Sequence, residues 1–470
     1  MSTLEQFFTI KNGSLFFDEI SLENDVAKKY GTPTYVFSKR IIQKNISELK
    51  DAFQKYYPNT EIAYSTKNNL NYDLISLIAE EVNYFETTSL LELLLVQKLA
   101  NEKNKPLNLI STNLYKPEGL IQQMIENENL GNKNCVKGII AIDSFQDMKN
   151  IERVAKKLNK KARVIVRVNP GTQMSRDSTV FASAYPDAKC SLIIYDIDSI
   201  ISESNESRID EWLLERNYKP EYDFAERIIE EVEESKYLDL VGIHGHIGSQ
   251  VTNIEYFNHF FEVITIFYKL IEEKLGRKLD ILDLGGGYPV KYSPDVEIPS
   301  IDEIAKLLIE KITKAKINPL LIIESGRFVT ASSGVLLSEI TLTKENLSGG
   351  RIGVLDLSVY SDLLDVIVAK WHYESRLVNN IPNENEVLET ANWELVGSTN
   401  DTLDQIDPIS KFQFKRFFPR DLKSGDLIAI LNAGAYTTCF NSNYCGKPKP
   451  MIVLIDHQSK QKIKLLKRSY

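Results

Sequence analysis

Several residues that could carry out chemistry in this sequence share one position, because each ends or directly follows a short apolar segment. Together they provide an amine, carboxylates, imidazoles, glycines and a guanidinium: Lys67, Glu86, Asn169, His244, His246, Asp283, Gly285–Gly287, Glu324 and Arg327. When parallel strands close into a (β/α)8 barrel, their carboxyl ends meet at one face, and active sites lie there. We therefore expect these side chains to converge on one site.

The glycine and arginine residues predict an anion site. Gly285, Gly286 and Gly287 follow the seventh apolar segment, and Gly326 and Arg327 follow the eighth. Glycines let backbone N–H groups approach phosphate oxygens, arginine can bind phosphate through two hydrogen bonds, and barrels commonly bind phosphate at these two loops. A triple glycine alone is often only a tight turn, so the prediction depends on its combination with Arg327.

Lys67 is a candidate for imine formation. A lysine at a strand end is commonly solvated, but in a partly desolvated pocket its pKa falls and its amine can attack an aldehyde. An imine-forming lysine and a phosphate site at one barrel mouth suggest pyridoxal 5′-phosphate (PLP) or a phosphorylated aldehyde. Glu324 favours PLP, because a carboxylate beside the pyridine nitrogen keeps it protonated. A plain ion pair between Glu324 and Arg327 is the structural alternative.

The segment Gly242–Gln250 contains two of the five histidines. We expect His244 to be a structural core residue and His246 to stack on a flat ring. Two histidines at this spacing could also bind a metal ion, but the sequence shows no third ligand, so we predict no metal site.

The helices and strands that must position these residues indicate an α/β fold. Helix-period segments such as Asn71–Glu81 and Ser144–Lys157 separate most of the apolar, β-branched segments, which predicts a parallel sheet closed as a (β/α)8 TIM-like barrel, with a doubly wound open sheet as the alternative. The eight predicted strands are Glu61–Lys67, Val82–Glu86, Leu107–Ser111, Gly138–Asp143, Arg163–Asn169, Leu240–His244, Leu279–Asp283 and Leu320–Glu324.

Strand-like segments dominate the rest of the chain. We predict a barrel over 40–325, interrupted by an acidic surface insertion at about 190–220 that is either decoration or has a lid or interface role. We predict a β-sandwich or β-barrel-like domain over 326–470, joined by the N-terminal segment 1–39. The strand-like segments are Ser14–Phe17, Thr34–Phe37, Val335–Leu342, Arg351–Leu357, Leu427–Leu431 and Met451–Asp456.

Composition excludes several classes of protein. The 470 residues carry a formal net charge of -9, which argues against nucleic-acid or anionic-membrane binding. No apolar run approaches the roughly 20 residues of a membrane span. Met1–Glu5 lacks the basic start of a secretory signal, and the four cysteines form no CxxC pair. A cytoplasmic protein with free thiols is the resulting expectation.

Four motifs in order resemble the fold-type III PLP-dependent decarboxylases, the family of ornithine, arginine and diaminopimelate decarboxylases. The similarity covers nearly the whole chain. It involves the lysine segment Tyr64–Asn69, Glu86–Ser89 with Glu92, the histidine segment Gly242–Gln250, and Gly434–Tyr436.

The resemblance implies a role for each residue that matches one of the family's motifs. Lys67 would bind PLP as a Schiff base beside Glu86, and His246 would stack on the ring. Ser249 would lie beside the cofactor, and Glu324 would meet the pyridine nitrogen. The phosphate would be held by Gly285, Gly286, Gly287, Gly326, Arg327 and Tyr436.

The resemblance also implies a homodimer whose subunits share active sites. The family's second subunit supplies a Cys-Asp or Cys-Glu motif, and the matching segment here is Gly397–Asp404. Asn400 replaces the cysteine that normally helps direct protonation of the substrate, while Asp401 is kept. We predict that Asn400, Asp401 and Tyr444 contact substrate, with a proton donor near Asn400 or Lys67.

The substrate tail is predicted from Ser358–His372. Diaminopimelate enzymes place an arginine here, but this segment has none; Ala369 stands where ornithine-type enzymes have an aspartate, and Lys370 follows. A cation there favours an anionic tail, such as citryl-ornithine or citryl-diaminopropionate in carboxylate-siderophore biosynthesis. The alternatives are meso-diaminopimelate, free ornithine or lysine, and a non-catalytic PLP-binding homologue, which should have lost Lys67, Arg327 or Tyr436.

Overall fold

A computed structural model describes residues 5–126, 138–171, 183–184, 188–194, 224–293, 295–345, 347, 350–382, 389–406 and 416–466. The predicted insertion at about 190–220 falls almost entirely outside the described residues, as does Cys135. Cys190, Cys439 and Cys445 are free cysteines.

The strands alternate with helices through the barrel and dominate the remainder. The strands are β1 Phe8–Lys11, β2 Ser14–Phe17, β3 Ile20–Ser21, β4 Thr34–Ser38, β5 Thr60–Ser65, β6 Tyr84–Thr87, β7 Asn108–Ser111, β8 Ile139–Ile142, β9 Ala162–Asn169, β10 Leu192–Ile193, β11 Leu238–Gly245, β12 Ile281–Asp283, β13 Leu320–Ser325, β14 Gly334–Glu345, β15 Arg351–Leu355, β16 Ser375–Leu377, β17 Thr390–Val396, β18 Arg416–Pro419, β19 Leu427–Ile430, β20 Met451–Ile455 and β21 Ile463–Leu465.

The α-helices are α1 Lys28–Tyr30, α2 Lys39–Gln54, α3 Tyr72–Glu81, α4 Leu90–Glu102, α5 Glu118–Glu126, α6 Phe145–Leu158, α7 Ala225–Glu234, α8 Ile254–Leu275, α9 Ile301–Ala315, α10 Arg327–Thr330, α11 Val359–Asp362 and α12 Asp365–Ala369. Short 3-10 or π turns cover Glu5–Phe7, Leu22–Ala27, Thr66–Asn68, Ala331–Ser333, Thr438–Phe440 and Tyr444–Gly446.

Eight parallel strands close into a barrel. Their order is β5-β6-β7-β8-β9-β11-β12-β13, and β13 pairs with β5 to complete the ring. Each coincides with one of the eight predicted segments, so the predicted barrel is confirmed and the open-sheet alternative is wrong. Small and branched side chains fill the interior, which makes it a packed core beneath the carboxyl ends; they include Ala63, Ile110, Ile165, Val241, Ile281 and Ile322.

Polar caps define where the barrel helices begin. The Asn71 side chain accepts the backbone N–H of Leu74 at the start of α3, and Ser144 does the same for Asp147 in α6. Such caps satisfy donors that a helix start leaves unpaired. Both predicted helices are confirmed to within one residue, and each buries its apolar face against the barrel.

A curled mixed sheet forms the β-rich part. Its main path is β18-β17-β15-β14-β4-β20-β21, with β19 pairing to β14 and β16. Strand β4, from near the N-terminus, pairs antiparallel with β14 and parallel with β20. The N-terminal segment therefore shares a sheet with the C-terminal strands, while the exact domain boundaries stay a prediction. Within the ranges given above, no helix is both long and apolar enough to cross a membrane.

Candidate active site

A cavity of about 430 Å³ lies at the carboxyl ends of the barrel strands. This volume falls within the usual range for small-molecule sites. The cavity brings together residues from opposite sides of the barrel and from the β-rich part: Lys67, Arg167, His246, Arg327, Asp365 and Tyr436. Four of these six were predicted site residues.

Lys67 lies in the short turn that follows β5, with its side chain one-third exposed (33%) to the cavity. Its Nζ lies 2.6 Å from Oε2 of the fully buried Glu86, whose Oε1 accepts the Thr112 hydroxyl at 2.7 Å. Burial alone would lower the pKa of Lys67, but Glu86 and Tyr436 outweigh it and hold the pKa above its ordinary value. The expectation of a lowered pKa is therefore wrong for the free protein, because a carboxylate sits within hydrogen-bond distance.

His246 is held as a neutral ring. Its Nδ1 accepts the backbone N–H of Gly248 at 2.9 Å, which leaves the proton on Nε2. Burial, and then the charges of Arg167 and Lys67, bring the pKa of His246 well below its ordinary value. A neutral imidazole at the cavity wall suits stacking against a flat aromatic ring, and that role stays a prediction.

The three glycines are required by close packing. Gly285 has φ +59°, and a Cβ there would lie 2.7 Å from the carbonyl oxygen of Gly245. At Gly286 a Cβ would lie 2.9 Å from the carbonyl oxygen of Glu324, and at Gly287 it would meet Ile247 at 2.6 Å. The loop after β12 therefore lies flat against its neighbours.

Arg327 is nearly buried and surrounded by aromatic rings. Its guanidinium carbon lies 4.5 Å from the ring centre of Trp371 and 4.8 Å from that of Tyr436. Its Nε donates to the Ser249 hydroxyl at 3.2 Å, and Nη1 donates to the Tyr292 hydroxyl at 2.9 Å. A guanidinium held by neutral partners keeps its charge available, so this end of the cavity fits a phosphate.

Glu324 and Asp283 are buried near the carboxyl ends of β13 and β12, close to His244. Glu324 is 1% exposed, and its Oε1 has no hydrogen-bond partner among the described residues. Oε1 of Glu324 lies 3.8 Å from Nε2 of His244, whereas Arg327 donates to Ser249 and Tyr292, so the suggested ion pair between Glu324 and Arg327 does not form. A buried carboxylate close enough to Lys67 for their charges to interact suits a protonated ring nitrogen, and the residues present therefore fit PLP.

The same three residues have the spacing of possible metal ligands. One ligand atom each of His244, Asp283 and Glu324 lies within 4.8 Å of the others. The histidine is not positively charged, since burial and then Arg167 bring its pKa well below its ordinary value. The prediction of no metal site stays a prediction.

Three predicted substrate residues lie on an outer face. Asn400 and Tyr444 are exposed, and none of Asn400, Asp401 and Tyr444 lines the cavity. Asp401 accepts the hydroxyls of Tyr360 at 2.8 Å and Tyr444 at 3.3 Å. We call Tyr360, Asn400, Asp401 and Tyr444 the outer cluster.

Lys370 does not reach the cavity either. It ends α12 in a left-handed conformation (φ 52°), and its side chain is exposed. An anionic substrate tail was predicted because Lys370 was expected to face the substrate, and a single chain does not place it there.

Sequence reasoning missed two charged residues of the cavity wall. Arg167 donates to the Thr112 carbonyl at 3.0 Å and to Asp143 at 3.2 Å. Arg167 could have been recognised from the sequence, because it lies two residues after Ile165 in the fifth predicted strand. Side chains two residues apart in a strand point to the same face, here the barrel interior. Asp365 lines the wall from α12, an irregular segment with no periodic signal.

Comparison with known proteins places these features in a family. Residues 43–189 and 216–331, more than half of the chain, match the family model described as "Pyridoxal-dependent decarboxylase, pyridoxal binding domain". The diaminopimelate decarboxylase of Aquifex aeolicus is 25% identical over 462 residues, covering 98% of this chain and 94% of that protein. The diaminopimelate decarboxylase of Staphylococcus aureus is 28% identical over 461 residues, covering 97% and 96%.

The fold is also similar to solved structures. The diaminopimelate decarboxylase of M. jannaschii in complex with L-lysine superposes with a TM-score of 0.80 at 23% identity, covering 100% of this chain and 96% of that one. At this identity the likeness supports the shared barrel and β-domain architecture.

Proposed function

The chain belongs to the pyridoxal-dependent decarboxylases, and we propose that its substrate is meso-diaminopimelate, decarboxylated at one α-carbon to give lysine. Its cofactor is PLP, and it is a carboxy-lyase. The observation that carries the proposal is the cavity that joins Lys67, Arg327 and the carboxylate of Asp365. Its relatives named diaminopimelate decarboxylase, similar along nearly their whole length, support the same substrate.

The residues around the cavity would hold PLP at both ends. Lys67 Nζ would hold its aldehyde carbon, Arg327 and Ser249 its phosphate, and Glu324 its ring nitrogen, with His246 against the ring. When bound, PLP accepts the electron pair left on the α-carbon as CO₂ departs.

Proton transfer after CO₂ loss is assigned to Lys67. The amide of Asn400 is not an acid, so it does not replace the cysteine that the family uses at that position. Lys67 Nζ is charged in the free chain and lies next to Glu86, which can receive and return a proton over 2.6 Å. We assign to Lys67 both the attachment of PLP and the return of the proton to the α-carbon.

Asp365 provides the selectivity for a second ammonium group. Its Oδ2 accepts the Tyr373 hydroxyl at 2.6 Å, and its buried Oδ1 has no hydrogen-bond partner in the described chain. Burial raises the pKa of Asp365 to about 6. Above that pH the carboxylate would pair with a distal ammonium of the substrate, which diaminopimelate carries.

A second candidate function is decarboxylation of free lysine or ornithine. The observation that favours it is the lack of any arginine in Ser358–His372, so that this segment offers no guanidinium for a distal carboxylate. Asp365 would serve a bare distal ammonium equally well. We do not propose the citrate-conjugated substrates, because they were predicted from Lys370, and the side chain of Lys370 does not reach the cavity.

The substrate proposal is tested by CO₂ release from the PLP-loaded enzyme with meso-diaminopimelate, lysine, ornithine and citryl-ornithine. We expect kcat/KM for meso-diaminopimelate to exceed that for each of the others by about tenfold or more, a difference of roughly 1.4 kcal/mol in transition-state binding. A higher kcat/KM for lysine or ornithine would instead support the second candidate. Activity on citryl-ornithine alone would contradict both.

The role of Asp365 is tested with Asp365→Asn. We expect KM for diamino acid substrates to rise about tenfold with little change in kcat or PLP affinity. In the unchanged enzyme KM should fall as the pH rises from 5 to 7, because Asp365 ionises through about pH 6; the variant should lose this trend. Asp362→Asn is the matched control, since Asp362 is also buried but does not line the cavity. A weaker PLP affinity with unchanged KM would contradict the assignment.

A further inference from the structure

Asp283 is a buried acid for which the family's cofactor contacts provide no role. It ends β12, and Glu324 lies near the end of the neighbouring strand β13. Asp283 is 0% exposed and Glu324 1% exposed, and one carboxylate oxygen of each lies within 4.8 Å of the other. Two carboxyl groups so close in a dry core rarely both ionise, because the like charges repel and water cannot screen them.

The hydrogen-bond partners of the two groups leave one proton unaccounted for. Asp283 Oδ1 accepts the backbone N–H of Gly285 at 3.0 Å. Asp283 Oδ2 and Glu324 Oε1 are both buried and, as carboxylate oxygens, find no donor among the residues described. His244 Nε2 is 3.8 Å from Glu324 Oε1, too far for a hydrogen bond. A proton on one of the two carboxyls would supply the missing donor.

We propose that Asp283 is a positioning residue that carries a proton and donates it in a hydrogen bond to Glu324, thereby orienting Glu324 and setting its basicity toward the cofactor's ring nitrogen. The proposal rests on the family's cofactor and is independent of which amino acid is decarboxylated. Asp283 would not contact the cofactor itself and would act on it only through Glu324.

The surrounding charges favour the proton on Asp283. Burial, and then the negative charge of Glu324, raise the pKa of Asp283 well above its ordinary value, and the buried Glu86 adds to the effect. Burial also raises the pKa of Glu324, but Lys67 and Arg167 oppose that rise. Glu324 therefore stays the more acidic of the two and is the natural acceptor.

The other groups facing Asp283 do not supply a competing cation. His244, on β11, is neutral, because burial brings its pKa well below the ordinary value. Tyr288 stays protonated, since burial and then Asp283 and Glu324 raise its pKa. A hydrogen bond from Asp283 would thus satisfy one side of the Glu324 carboxylate and leave the other side for the cofactor's ring nitrogen.

The first test uses the cofactor-free protein. Folding raises the pKa of such an acid, so its protonated form stabilises the folded chain. This contribution is complete below the unfolded pKa of about 3.9, and it is lost as the pH rises toward the pKa of the folded state. We expect the unfolding temperature of the unaltered chain to fall by several degrees more between pH 5 and pH 8 than that of Asp283→Asn. The infrared difference spectrum of the two proteins at pH 7 should contain the C=O stretching band of a protonated carboxyl group, contributed by the unaltered chain.

The second test separates hydrogen bonding from packing in the PLP-loaded enzyme. Asp283→Asn keeps a donor toward Glu324, whereas Asp283→Ala removes it. We expect kcat to fall roughly 10- to 100-fold in the alanine variant and to stay within about threefold in the asparagine variant. The pH midpoint of the cofactor's absorbance band should shift in the alanine variant alone.

Three results would overturn the proposal. One is an infrared spectrum without the carboxyl band, together with equal pH slopes of stability. Another is an equal loss of kcat in both variants with no shift in the absorbance midpoint. The third is a divalent metal ion that co-purifies with the chain and is lost in Asp283→Asn. If Asp283→Asn does not fold, Glu324→Gln provides the same test, because removing the neighbouring charge should also flatten the pH dependence of cofactor-free stability.

Discussion

The cavity and the outer cluster differ in how completely one chain builds them. In the cavity, Lys67 is fixed by a buried carboxylate and Arg327 by four neutral side chains. In the outer cluster, Asn400 and Tyr444 are exposed, and Asp401 is held by two tyrosine hydroxyls without facing any cavity residue. The cavity is thus lined by residues from several parts of one chain, whereas the outer cluster is held by its own hydrogen bonds away from the cavity.

This difference supports the predicted homodimer with shared active sites. The tyrosines hold the Asp401 carboxylate in a fixed position, and the N–H of Leu403 with the Tyr360 hydroxyl keeps the pKa of Asp401 below its ordinary value. An ionised, oriented carboxylate at a surface suits contact with a substrate presented by another copy of the chain. The cavity would then supply the cofactor chemistry and the outer cluster part of the substrate recognition.

The largest expected effect comes from removing the central residue of the cavity. Lys67→Ala should reduce kcat/KM at least about 1,000-fold, because both covalent attachment and proton return depend on its amine. It should also abolish the absorbance band of lysine-bound PLP. Lys103→Ala, which removes a surface lysine paired with Glu80, is the matched control and should change neither. Activity within tenfold of the unaltered enzyme would contradict the assignment of Lys67.

The next effect tests whether the two regions meet across subunits. Asp401→Ala should lower kcat/KM about 30- to 100-fold while leaving the PLP absorbance intact, since the cavity itself is unchanged. When inactive Lys67→Ala and Asp401→Ala chains are mixed and allowed to exchange, about a quarter of full activity should return, because half of the dimers then contain one intact site.

Two outcomes would contradict active sites shared between subunits. No recovery on mixing, with subunit exchange demonstrated by a tagged chain, would show that both regions act within one chain. Loss of PLP absorbance in Asp401→Ala would show that the outer cluster supports the cavity directly.

The barrel and four of the residues that line its cavity were predictable, because the ends of the predicted strands locate both. Apolar, β-branched segments of similar length specify the eight strands. Closure of the barrel then brings Lys67, His246 and Arg327 to one face, independently of the conformations of the loops. The helix starts followed from local capping by Asn71 and Ser144. Each of these signals spans only a few neighbouring residues, so it can be recognised directly in the sequence.

The substrate side was not predictable by the same means. Asp365 and Lys370 bracket a five-residue helix, and the left-handed conformation of Lys370 turns its side chain outward. That orientation depends on tertiary packing, for example the hydrogen bond from Tyr373 to Asp365, and no periodic pattern reports it. The pKa of Lys67 likewise depends on Glu86, which is 19 residues away in sequence and reaches Lys67 only when β5 and β6 pair.

The smallest expected effect distinguishes the two tyrosines of the outer cluster. Tyr360→Phe removes the 2.8 Å hydrogen bond to Asp401, whereas Tyr444→Phe removes one of 3.3 Å. The shorter bond should matter more, so we expect kcat/KM to fall about threefold to tenfold in the first variant and less than threefold in the second. The acid limb of the kcat/KM profile should also move to higher pH in Tyr360→Phe, because losing that donor raises the pKa of Asp401 toward its ordinary value. PLP absorbance should be unchanged in both, since neither residue lines the cavity. If Tyr444→Phe has the larger effect with an unmoved acid limb, Tyr444 contacts the substrate itself, and the outer cluster recognises substrate through its phenol as well as through Asp401.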